Sequence, residues 1–134
     1  MKRGDREPAP RDERASVKEE FAAYLPHIRR RWLEQQDHWA ERRDEAWGVA
    51  RRIAVLLQER FGADQVIAFG SLVRMDRFDD RSDIDLAVSG VQPEQFFKAW
   101  SAAAAISPFA LDLVDLADCS PALRLVIDQE GVAL

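Results

Sequence analysis

The chain has 134 residues, of which 47% are hydrophobic, with a formal net charge of −5 and one cysteine. That is apolar material for one domain of ordinary size. It excludes an internal disulfide and a cysteine-based zinc site, and no apolar run approaches the ~20 residues that span a bilayer. The charge is uneven: residues 1–60 carry 14 basic and 12 acidic side chains, and residues 61–134 carry 5 and 12. The second half is therefore a poor general nucleic-acid binder, because such affinity rests on neutralising phosphates. An acidic surface suits divalent cations instead.

In chain order, residues 1–15 are rich in charge and proline and read as a disordered arm. The stretch Met1 to Arg14 is no signal peptide, since no apolar segment follows it, and the expected compartment is the cytoplasm. Residues 16–61 have a helical pattern, which Pro26 is expected to divide. Beyond it Ile28, Trp32, Trp39, Trp47, Ala50, Ile53, Ala54, Leu57 and Phe61 recur at helical spacing along one face. Gly62 is a fitting C-cap.

Residues 62–134 then read as a core of alternating elements. Gln65 to Phe69 is a short buried strand, and a helix starts at Ser71. Ile84 to Val88 is a second strand, closed by Ser89-Gly90. A helix runs from Pro93 to about Ile106, and Phe109 to Leu116 is a third strand. Ser120-Pro121 opens a last helix that ends near Glu130 and Gly131. Cys119 reads as a small residue near a turn. The expected fold class is α/β (α+β), a small mixed sheet with flanking helices behind a long N-terminal helix.

Two segments carry chemistry. Gly70-Ser71 sits between a strand and a helix, where glycine lets backbone approach a phosphate and serine offers a hydroxyl. Its plainer reading is a strand-to-helix turn with a serine cap. Asp83 and Asp85 open the next strand, where residues i and i+2 share a face. Two such carboxylates repel, and magnesium resolves the repulsion. Their plainer reading is turn chemistry at a strand start. A third carboxylate comes from Leu111-Asp112-Leu113-Val114-Asp115. Asp112, nearer the middle of its strand, is favoured over Asp115.

The segments Phe-Gly-Ser-Leu-Val-Arg at 69–74, Ser-Asp-Ile-Asp-Leu-Ala-Val at 82–88 and Leu-Asp-Leu-Val-Asp-Leu at 111–116 resemble the minimal nucleotidyltransferases of the DNA polymerase β-like superfamily. The resemblance spans about residues 50–134 and includes a closing helix from Pro121. It implies a nucleotidyltransferase-like fold in which Gly70 and Ser71 hold a triphosphate. Asp83, Asp85 and Asp112 would bind two Mg2+ ions, and Asp112 would also help deprotonate an acceptor hydroxyl. Two departures lie in the connecting loop. Met75 stands where the family usually has glycine, and the loop between Ser71 and Asp83 is one residue longer than the common pattern.

Many such proteins are antitoxins of HEPN-family RNase toxins, and some transfer AMP from ATP to a toxin hydroxyl. The resemblance therefore implies an ATP:protein adenylyltransferase with a toxin partner. A binding-only antitoxin and a transferase acting on RNA 3′ ends are the alternatives. Trp32, Trp39 and Trp47 would either pack the helix on its own domain or form a partner or self-association surface. His27, His38 and Arg29-Arg30-Arg31 read as a solvated helix face. Arg74 and Arg77, near the Gly-Ser turn, read either as phosphate contacts or as plain helix surface.

Overall fold

The computed structural model describes residues 8–74 and 78–134, with side chains from residue 25 onward. The chain divides into two compact units, residues 1–37 and 38–134. Helix α1 is Pro8–Phe61 and contains Pro26 without interruption. The expected division at Pro26 is therefore corrected. Proline removes one N–H, and the flanking Ala22, Ala23, Leu25 and Arg29–Arg31 are good helix formers. Between residues 8 and 15 the backbone is helical, where the sequence reads as an irregular arm; residues 1–7 lie outside the described part. Gly62 leaves the helix at φ +70, a conformation that suits glycine.

The core unit is built on four strands: β1 Gln65–Phe69, β2 Ile84–Ser89, β3 Leu111–Asp115 and β4 Val132–Ala133. They lie in the order β3-β2-β1-β4. Strand β1 is antiparallel to both β2 and β4, and β2 is parallel to β3. Helix α2 is Ser71–Arg74, α3 is Phe96–Ala105 and α4 is Pro121–Glu130. Ser120 caps α4, its hydroxyl accepting from Leu123 N at 3.1 Å. Gly131 has an ordinary φ of −65. Glycine is required there for space, because a Cβ would run into Ile127 O and Ile67 Cγ2.

Two details escape the sequence pattern. Strand β3 is shorter than Phe109 to Leu116. Phe109 is held in a turn, its N donating to Ser107 Oγ at 3.0 Å. Leu116 opens a 3₁₀ turn capped by Asp115, which accepts from Ala117 N at 3.0 Å. Strand β4 has only two residues, too few to show alternation.

The pleat sorts the sheet into two faces. Val66, Ala68, Ile84, Leu86, Val88 and Leu113 point into the main core. There they meet Ala46 to Leu57 of α1 and Ala99 and Ala103 of α3. The core unit thus draws on the end of α1 as well as on residues 62–134. On the other face Phe69, Ala87, Leu116 and Ile127 form a smaller cluster under α4. No buried charged side chain occurs among the described residues. No described helix is long and apolar enough to cross a membrane.

Candidate active site

The site forms where the α4 face of the sheet runs out of apolar residues. Strand β1 ends at Phe69, and Gly70 turns the chain at φ +74. One short helical turn follows, with Arg74 N donating to Gly70 O at 2.9 Å. Antiparallel pairing sets Phe69 opposite Asp85. Parallel pairing sets Asp85 opposite Asp112. Asp85 is thus flanked by the Gly-Ser turn on one side and a second carboxylate on the other. A Cβ on Gly70 would collide with Asp85 Oδ2 and lie 3.3 Å from its Cγ. Glycine there serves both the left-handed turn and the space for the carboxylate.

Asp83 precedes β2 and shares the parity of Asp85. It is exposed, as is Asp112, while Asp85 is partly buried. Asp115 falls on the opposite parity from Asp112 and spends one oxygen capping the turn after β3. The Asp85 carboxyl is pushed up from its ordinary 3.8 to about 6. Burial is the largest cause, followed by the negative charges of Asp112 and Asp83, against a smaller pull downward from Arg74.

The segment leading into Asp83 is tightly tied. Asp79 Oδ1 accepts from Arg81 N at 2.9 Å, and Asp79 N donates to Ser82 Oγ at 3.1 Å. Ser82 thus supplies turn chemistry at the strand start. Two arginines of α1 reach this region. Arg42 Nε donates to Asp79 O at 3.3 Å and its guanidinium lies 4.9 Å from the Phe109 ring centre. Phe109 in turn meets Phe78 edge-on. Arg43 Nε donates to Leu72 O at 3.2 Å, holding α2.

Sequence reasoning passed over these arginines because α1 is charged throughout. The available signal was Arg43 lying on the stripe that continues through Trp47, Ala50 and Ala54. Glu130 was also missed. Its Oε1 is buried without a hydrogen bond and lies 3.7 Å from Arg74 Nε. Met75 and Arg77 lie outside the described residues.

No protein-family model matches the sequence, and no curated protein does. Solved structures share the fold. The toxin–antitoxin MntA–HepT aligns over 63% of this chain and 68% of that one, at 22% identity and a TM-score of 0.50. A mutant of that toxin–antitoxin, with two aspartates one residue apart changed to glutamate, covers 63% and 70% at 22% identity and 0.55. A structure provisionally named a minimal nucleotidyltransferase covers 74% of this chain and 95% of its own, at 24% identity and 0.51. The chain has the minimal nucleotidyltransferase fold.

On that fold the donor set at the site consists of carboxylate oxygens, which suits a hard divalent cation. Among the described residues no three His, Cys, Asp or Glu side chains close into a ready metal cage. Magnesium keeps several waters and takes further oxygens from substrate phosphates.

Proposed function

We propose that this chain is a magnesium-dependent nucleotidyltransferase that moves AMP from ATP to a hydroxyl on a partner protein. The partner proposed is a HEPN-type RNase toxin, which makes the chain its antitoxin. The observation that carries the reading is Asp85, seated between the Gly70 turn and the in-register Asp112. The spacing of Asp83 and Asp85 supports it, being that of the two aspartates altered in the MntA–HepT mutant.

In the reaction the acceptor hydroxyl oxygen bonds the α-phosphorus of ATP. The bond from that phosphorus to the bridging oxygen breaks, and pyrophosphate leaves. Two bound magnesium ions would neutralise charge on the transferring and leaving groups. Asp83, Asp85 and Asp112 would hold them, and Asp112 would accept the hydroxyl proton. Gly70 leaves room beside the carboxylates, and Ser71 offers a hydroxyl to phosphate. Arg74 brings a positive charge to the same face. The chain otherwise contributes position rather than covalent chemistry.

The alternative is an antitoxin that acts by binding alone. The test uses α-phosphate-labelled ATP, magnesium and lysate of source cells, with Asp85→Asn alongside. Label on one protein band, lost in the variant, is the expected result. Label in the RNA fraction would move the acceptor to RNA 3′ ends. No label with any of the four nucleotides would leave the binding reading.

A further inference from the structure

Two exposed surfaces of this chain are complementary. The first lies in residues 25–32 of α1. Leu25, Ile28 and Trp32 recur at helical spacing and stay exposed, Trp32 at 55%. Arg29 and Arg31 flank that stripe one position from Ile28 and Trp32, on either side of it. Soluble chains seldom leave such a stripe uncovered.

The second surface is a groove of about 480 Å³ beside the outer edge of β3. Its floor is aromatic: Phe96 meets Trp100 edge-on at 6.0 Å and Phe97 at 6.2 Å. Trp100 is pinned by its indole N–H, which donates to Leu111 O at 3.1 Å. Phe97 is 78% exposed. Asp115 and Asp118 line the groove, giving it a negative margin.

We infer that residues 25–32 of one copy dock in the β3-edge groove of a second copy. Trp32 and Ile28 cover Phe97, while Arg29 and Arg31 face Asp115 and Asp118. Apolar surface meets apolar surface, and opposite charges fall at the rim, where they set register and specificity. The contact is head-to-tail, using different patches on the two copies. It involves neither the carboxylates nor nucleotide transfer, so it stands apart from the proposed activity.

The test is the mass of the full-length chain by analytical ultracentrifugation across concentration, with Trp32→Ala and Phe97→Asp as single variants. The wild type is expected to self-associate. Each variant alone is expected to lose at least about tenfold in affinity, the size typical of an aromatic anchor. Mixing the two variants is expected to restore dimers, because each retains the surface the other has lost. Far-UV circular dichroism and melting temperature control for folding. A wild type that stays monomeric overturns the proposal. So does self-association insensitive to Phe97→Asp, which would mean helix-to-helix pairing. A mixture that stays monomeric overturns the head-to-tail geometry.

Discussion

Leu86 and its neighbour Asp85 are adjacent on one strand, yet they belong to opposite designs. Leu86 is fully buried in the main core. Asp85 stands on the other face against Asp112 and Gly70. Along β1 and β2 the α1/α3 face is apolar and supplies stability. The end of the α4 face gathers like charges and costs stability. The pleat lets three short strands do both without either face intruding on the other.

The comparison breaks most sharply with that pair. Leu86→Ala is expected to destabilise the chain by about 2–5 kcal/mol, through lost burial and the cavity left behind. Asp85→Asn is expected to abolish transfer while raising the melting temperature of the metal-free chain. The sign follows from proton linkage. The folded Asp85 holds its proton up to about pH 6, against 3.8 ordinarily. Between those values the folded state binds more protons, so stability falls as pH rises. The gain from Asp85→Asn is therefore full above pH 6 and absent below about pH 4, which melting curves across that range would show. A gain that persists at pH 3 would contradict a carboxyl raised by burial and by its acidic neighbours.

Gly70→Ala comes next. The left-handed φ alone costs about 1–2 kcal/mol, and the new methyl displaces Asp85. Activity is expected to fall more than stability does, measured as initial rate against melting temperature. Asp112→Asn and Asp115→Asn sharpen the comparison within a single strand. Asp112→Asn is expected to lose transfer with little change in melting. Asp115→Asn is expected to keep transfer and lose at most about 1 kcal/mol, since asparagine still caps.

Arg43→Ala is expected to cost about 1 kcal/mol, for the bond to Leu72 O. Its signature is a raised KM for ATP with kcat less affected, because α2 follows Gly70 directly. Arg43→Lys is expected to restore part of that KM. An unchanged KM in Arg43→Ala would mean that the bond holds α2 without influencing the turn.

The sheet-forming runs were legible because buried strands make short apolar stretches between turn residues. Asp83 and Asp85 were legible as a pair because their spacing equals the strand period. The choice between Asp112 and Asp115 was only half legible. It depends on the parallel register of β3 against β2, which no local pattern encodes. Mid-strand position did not decide burial, since Asp112 is exposed at a sheet edge while Asp115 is partly buried. Strand β4 was hidden by its brevity. Arg42 and Arg43 were hidden by a helix so charged that two more arginines carry no signal. Trp47 packs on the core while Trp32 lies exposed, so one helical stripe joins two different environments.

With its pKa raised to about 6, the Asp85 carboxyl is largely protonated only below that pH. A cation held by Asp85 below pH 6 would release that proton into solution. Below that pH the heat of filling the site would depend on which buffer takes up the proton, and above it the dependence would fade.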